Sequence, residues 1–419
     1  MSNGQHTIHH RVLRCGAHLL VEPMPGVRSA AFNWLLPAGV ATDPDERQGV
    51  SAMLSELLLR GAGERSSREM ADAIDRLGAS RSADAATIFF RVGSVALGDR
   101  LADALPLLVD TVRRPRFDED AIEPARDLCL QAIESLKDDP QERAALAART
   151  RHYAPPINRS TLGTPEGVAA VTRDDLTRQW GARAVPGNSI LGFAGSVDAD
   201  ALERHLNDLL EGWAGSAAHP RVDQQGPRGY GHETDQTNQV QIILMHDAPT
   251  EASPDALLEK ILISVLSGGM SGRLFSEVRE KRGLCYSVSA SYRGDKDHGS
   301  VVAYVGTTPE RAQQSLDVLA AELAKVRTPE GRITPDEFRK AIVGFKSRLV
   351  FSGESTGARA ASICSDFYRL GRARTLAEIA AQVDAVTLDQ VNDYAARRSP
   401  GKLTIQTLGP APLTPVSIG

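Results

Sequence analysis

The sequence predicts an α+β fold of two tandem, similar domains, each a mainly antiparallel sheet with helices packed on one face. Three observations lead there. Strand-like and helix-like apolar runs alternate irregularly, without the regular βα repeat of a doubly wound sheet. Two stretches repeat one pattern: "VTRDDLTRQWGARAVPGNSILGFAG" from Val171 and "VTLDQVNDYAARRSPGKLTIQTLG" from Val386. Each has a threonine cap (Thr172, Thr387), an acid in the first turn, a short helix, a Pro-Gly turn and an apolar strand. Between them, residues 215–235, "GSAAHPRVDQQGPRGYGHETD", are rich in Gly, Pro and polar residues and read as a linker. The expected division is therefore 1–214, a linker over 215–235, and 236–419.

Composition narrows the function. The chain has 419 residues, 42% hydrophobic and 24% charged, with a net charge of −5. That is the balance of a globular protein with a substantial core. It carries no basic footprint for nucleic acid. No apolar run is long enough for a membrane span. The start, "MSNGQHTIHHRVLRCG", lacks the apolar stretch of a secretory leader. A cytoplasmic location is expected, or a periplasmic one if a leader precedes this sequence. Cys15, Cys129, Cys285 and Cys364 are far apart, with no CxxC pair. Reduced, mostly buried thiols are expected, and long-range pairing stays open.

The elements follow in order. "AAFNWLLPAGV" reads as an apolar strand. "GVSAMLSELLLRG", residues 49–61, reads as a helix whose stripe is Val50, Met53, Leu54, Leu57 and Leu58. Its other face carries Ala52, Ser55 and Glu56; an HxxEH helix sets its two zinc histidines at i and i+4, and here those positions hold Ala52 and Glu56. "TIFFRVGSVA" is a strand running into a loop, and "RLADALPLLVDTVRR" is a helix. "RFDEDAIEPARDLCLQAIES" begins a long helix after an acidic lead-in. "RITPDEFRKAIVGFKSRLVFS" echoes it in the second half, which argues for a duplication with a period of roughly 200 residues. "VQIILMHDAP" and "SVVAYVGTTP" read as strands, and "RAQQSLDVLAAELAKV" as a helix. The glycine-rich "SGGMSGRLF" lacks the GK[ST] ending of a phosphate loop and reads as a flexible turn.

"SGRLFSEVREKRGLCYSVSASY" runs from Ser271 to Tyr292. Leu274, Phe275 and Val278 face one side of a short helix, and Gly283 is placed to end it. Strict alternation follows, with Leu284, Tyr286, Val288, Ala290 and Tyr292 set against Cys285, Ser287, Ser289 and Ser291. A tight turn between Arg279 and Tyr286 would bring both side chains to one end of a sheet. By local pattern alone the simpler reading is the better one: Arg279 is a solvated helix residue and Tyr286 a sheet aromatic.

These stretches resemble the pitrilysin/insulinase-type zinc peptidases, in the branch of the processing peptidases and bacterial two-subunit peptidases. "LPAGVATDPDERQGVSAMLSELLLRG" has the frame of the family's zinc helix, and "GGMSGRLFSEVREKRGLCYSVSASY" matches its second-half signature. The resemblance implies two tandem α+β domains, and two such chains enclosing a chamber. One half binds zinc through HxxEH and a distant glutamate; the opposite half adds an arginine and a tyrosine. By the same resemblance the first histidine falls on Ala52, the glutamate base on Ser55, the second histidine on Glu56 and the distant ligand on Ala132. The arginine and tyrosine fall on Arg279 and Tyr286. The implied protein has no zinc of its own and is not active alone. It completes the site of a homologous, HxxEH-bearing subunit whose zinc cleaves a peptide or unfolded polypeptide. A scaffold member of the family and a peptide-binding homodimer are the alternatives.

Overall fold

The computed structural model describes residues 7–220 and 225–418. No helix among them is long and apolar enough to cross a membrane. The chain forms two compact units, each drawn from three separate segments. The first comprises Met1–Ser135, Arg159–Arg221 and Ser352–Ala377; the second comprises Leu136–Asn158, Val222–Phe351 and Glu378–Gly419.

The first unit holds β1 (His9–Val12), β2 (His18–Pro23), β3 (Ser29–Leu36), β4 (Ser80–Ala85), β5 (Phe90–Leu97) and β6 (Ile190–Gly195). They lie in the order β1-β2-β6-β3-β5-β4, antiparallel except for β2 beside β6. One face buries Phe32, Trp34, Phe90, Val92 and Phe193 against Met53, Leu54, Leu105, Leu108 and Trp180 of the neighbouring helices. Met53, Leu54 and Leu57 are the stripe expected of the helix Val50–Leu57. The opposite face, with Ala31 and Ala194, meets Ala360 of the helix Thr356–Leu370.

The second unit holds β7 (Gly229–Thr234), β8 (Val240–Asp247), β9 (Cys285–Gly294), β10 (Gly299–Thr307) and β11 (Thr404–Gly409). Their order is β7-β11-β8-β10-β9, antiparallel except for β7 beside β11. This repeats the order and sense of β2-β6-β3-β5-β4, so the duplicated sequence pattern corresponds to a duplicated topology. The matching threonines both close capping boxes, Thr172 with Asp175 and Thr387 with Gln390. Ile242, Leu244, Val301, Val305 and Ile405 pack against Ile261, Leu316, Leu319 and Val391. On the other face, Ile243, Met245 and Leu408 pack against Ala144 and Ala148 of the helix Pro140–His152.

The overall architecture differs from the sequence reading in two respects. Helices were expected on one face of each sheet, yet the second face of each is covered by one helix supplied from the other half of the chain. The cause is visible in β3, β6 and β8, which are apolar almost throughout and buried on both faces. A sheet of that kind needs a cover on both sides. The helices Pro140–His152 and Thr356–Leu370 provide it, so neither unit is a continuous piece of sequence. Second, residues 229–234 of the stretch read as linker form β7, held by main-chain pairing with β11. Such pairing asks little of the side chains, which is why a polar run concealed it. Residues 221–224 of that stretch lie outside the described residues. All four cysteines are free.

Candidate functional site

The helix Val50–Leu57 is fixed at its start by a carboxylate from outside it. Asp43, 4% exposed, accepts from the Gly49 and Ser51 N–H groups at 3.2 and 3.1 Å and from Ser51 Oγ at 2.5 Å. Arg183 Nη1 holds the same carboxylate at 2.9 Å. The frame of a zinc helix is thus intact, but the residues on it do other work. Ala52 is buried and contributes only a methyl group. Ser55 Oγ accepts from the Ala85 N–H at 3.1 Å, on the sheet-edge strand β4, and donates to the Ser51 carbonyl at 3.0 Å. Glu56 is exposed, with its carboxylate 3.9 Å from Arg60 Nη2. Ala132 lies exposed on the helix Glu119–Ser135, which packs against the helix Val50–Leu57. On that helix Cys129 feels the Glu56 charge; burial first, and Glu56 second, push its thiol up to about 11.

These four positions do not fit zinc. They offer two methyl groups, one hydroxyl already used in two hydrogen bonds and one carboxylate, where the metal needs at least three N, O or S donors around one point. Among the described residues no group of three or more His, Cys, Asp or Glu side chains could hold a metal ion.

The arginine–tyrosine segment is built differently from the expected plain helix and strand. Phe275–Glu280 winds as a π-helical turn, with the Lys281 N–H bonded to the Ser276 carbonyl at 2.9 Å. Such turns are rare and recur at functional sites. Arg273 anchors the segment: its guanidinium grips both carboxylate oxygens of Glu337, at 2.6 and 2.8 Å, and the Gly331 carbonyl at 2.7 Å. Burial works against the Glu337 charge. The Arg273 hydrogen bonds, with the N–H and hydroxyl of Thr334, nevertheless hold its carboxyl down to about 2. Gly283 ends the turn at φ +59°, a conformation that suits glycine, and its N–H returns to the Arg279 carbonyl at 2.9 Å.

Tyr286 departs from the expected alternation. β10 pairs Gly306 with Ser287 but Thr307 with Cys285, which leaves Tyr286 as the extra residue of a β-bulge. From Val288 onward the predicted inward set holds: Val288 and Tyr292 pack on the core and Ala290 is buried in it. At the strand's start the bulge reverses the sides, so Cys285 turns inward and Tyr286 is 61% exposed. Its hydroxyl has no hydrogen-bond partner among the described residues. Arg279 is also exposed, with its guanidinium carbon 4.9 Å from the centre of the Phe275 ring. No hydrogen bond joins Arg279 to Tyr286. The Arg279 charge does reach Cys285, the residue before Tyr286: burial pushes that thiol up while the Arg279 charge pulls it down. One end of the second sheet therefore presents an unengaged phenol and a guanidinium stacked on an aromatic ring.

Sequence reasoning gave no role to Ser267 or Arg273. Ser267 Oγ accepts from the Ala290 N–H of the edge strand β9 at 2.8 Å, as Ser55 does for β4. No local signal marks it. For Arg273 there was one: "TPDE" is a capping box, Thr334 to Glu337, and a carboxylate held that firmly favours an arginine partner.

A family model described as "Insulinase (Peptidase family M16)" matches residues 20–164. One described as "Peptidase M16 inactive domain" matches residues 170–344. The chain is 28% identical to an uncharacterized zinc protease of Streptomyces coelicolor, over 97% of this chain and 91% of that protein. It is 26% identical to one of Bacillus subtilis, over 91% and 93%. Among solved structures, a peptidase M16 inactive domain from Pseudomonas fluorescens superposes with a TM-score of 0.85 at 21% identity, covering 98% of this chain and 99% of that one. A protease from Helicobacter pylori gives 0.83 at 18% identity, covering 96% and 99%. At those identities the structures establish a shared fold.

Proposed function

Since the chain belongs to the insulinase-type (M16) peptidase family, we propose that it is a non-catalytic, substrate-binding subunit of a two-chain zinc peptidase. In this reading a homologous HxxEH-bearing chain carries the zinc and the water-activating base, and this chain contributes Arg279 and Tyr286. The observation that carries the proposal is the asymmetry between the two sites. The zinc positions carry no ligand set, with Ala52 packed, Ser55 capping a strand edge and Glu56 and Ala132 exposed, whereas the bulge holds Tyr286 outward with an unused hydroxyl. A scaffold does not need that phenol.

The chemistry assigned to this chain is modest. The Tyr286 O–H donates a hydrogen bond to the oxygen that gains charge as the peptide carbonyl is attacked. A donor fixed in advance stabilises that charge without reorganisation. The Arg279 guanidinium positions the peptide by gripping a carbonyl or orienting the phenol. The test is reconstitution with an HxxEH-bearing homologue from the same genome. The chain alone should cleave nothing and the pair should cleave peptides. Tyr286→Phe should assemble normally and lower kcat about 10²–10³-fold. A normally assembled Tyr286→Phe pair with unchanged kcat would return the scaffold reading to first place.

A further inference from the structure

We propose that the exposed face of β9 is a track for an extended peptide, and that Arg293, at the end of the track far from Tyr286, receives an Asp or Glu side chain of that peptide. The inference rests on the peptide-binding reading above and adds a substrate class to it.

Four observations carry it. Ser287, Ser289, Ser291 and Arg293 occupy alternate positions of β9 and all are exposed. Three small hydroxyl side chains leave room for a chain to lie over them. The outer edge of β9 is closed at Ala290, whose N–H is taken by Ser267 at 2.8 Å. A peptide is thereby steered onto the face rather than added as a continuous further strand.

At the far end, positive charge gathers without a neutralising carboxylate on Arg293. Arg293 pairs across the sheet with Ser300, and Ser300 Oγ accepts from the Tyr153 hydroxyl at 2.8 Å. The Tyr153 ring lies edge-on to His298, with centroids 5.0 Å apart. Arg149, half-buried on the helix Pro140–His152, donates to the Ile157 carbonyl at 2.9 Å; burial holds it below its usual pKa, and the Arg293 charge adds to this against the opposing pull of Tyr153 and Glu142. The neighbouring Asp247 is already bound to Arg228 at 2.8 Å. Arg293 itself has no ion pair or hydrogen bond among the described residues. Two guanidinium groups in mutual repulsion, one of them unpaired, form a receptor for an anion.

The spacing fixes where that anion falls on the peptide. Tyr286 and Arg293 are seven positions apart on β9. At about 3.3 Å per residue this is ~23 Å, so the acidic residue lies roughly six to eight residues from the bond presented to Tyr286.

The test uses the purified full chain and fluorescence anisotropy. The probes are labelled, C-terminally amidated peptides long enough to cover the strand, with Glu at both ends or Gln at both ends. Amidation removes the terminal carboxylate, so only the side chains differ. The Glu peptide is expected to bind about fivefold more tightly than its Gln twin, with the preference shrinking at high salt. Arg293→Gln should reduce the preference to less than about twofold, and Lys340→Gln, an exposed cation on another helix of the same unit, should leave it intact. Equal binding of the two peptides overturns the carboxylate subsite while leaving peptide binding in place. A preference that survives Arg293→Gln overturns its assignment to Arg293. Failure of both peptides to bind overturns this inference together with the peptide-binding reading.

Discussion

The helix Thr356–Leu370 reaches the first sheet with a charge, and removing that charge should be costly. Arg359 and Glu22 of β2 are each 1% exposed. The Arg359 Nε and Nη2 groups hold one carboxylate oxygen at 2.8 and 2.7 Å, and Nη2 also donates to the Arg374 carbonyl at 3.2 Å. Arg359→Leu would leave Glu22 buried with no cation. Stranding one member of a buried pair typically costs about 3–5 kcal/mol, whereas replacing both by apolar groups is close to neutral. For a unit of this size each kcal/mol moves the melting temperature by about 2–4 °C, so the single variant should melt roughly 6–20 °C lower. The double variant Glu22→Leu/Arg359→Leu should recover most of that loss. Lys346→Ala, which breaks a solvent-exposed pair with Asp384 at 2.8 Å, serves as the control and should shift it by less than about 3 °C. The assay is scanning calorimetry at constant pH, with equilibrium urea unfolding where refolding is complete. If Arg359→Leu melts within 2 °C of the parent, or the double variant is no better than the single, the burial argument for this pair is wrong.

Three other outcomes follow from the same structure. Gly192→Ala should destabilise the first unit, because a Cβ there would lie 2.4 Å from Cys364 Sγ and 2.7 Å from the Ala360 carbonyl; an unchanged urea midpoint would show that the helix shifts freely. Tyr286→Phe should leave stability within about 0.5 kcal/mol of the parent, since an exposed, unpartnered hydroxyl holds nothing together; a larger loss would mean that the phenol is structural. The second unit should weaken below neutral pH. Burial and the Arg228 charge lower His152 to about 4, and burial and the Arg398 charge lower His246 to about 3. Both are neutral when folded, while unfolded histidines take up protons below about 6.5. Stability therefore falls as pH drops from about 6.5 toward 4, by about 1–2 kcal/mol per histidine at pH 5. A urea midpoint that is flat between pH 7.5 and 5 would contradict this.

The sequence by itself determined the local elements and the chemistry of the site positions. The stripe of Met53, Leu54 and Leu57, the capping boxes at Thr172 and Thr387, the stop at Gly283 and the duplicated strand–helix pattern are all set by neighbours a few residues apart. Propensity and periodicity report on such neighbours directly. The same holds for the absence of imidazole from Ala52, Ser55 and Glu56, which is a matter of composition.

Tertiary structure alone decided how the two halves share their helices. The Glu22–Arg359 pair spans 337 positions of sequence, and nothing local in "TGARAASICSDF" says which sheet will receive it. The bulge at Tyr286 belongs to the same class. An alternating strand predicts an inward tyrosine, and only the one-residue mismatch between β9 and β10 turns it out. β7 was hidden because main-chain pairing leaves little mark on side chains. The neighbourhood of Arg293, Arg149 and Tyr153 exists only because a helix from the first half of the sequence lies on the second sheet. Sequence carries the preferences of each segment. The partner across a sheet, the register of two strands and the charges that end up side by side are fixed by packing between distant segments.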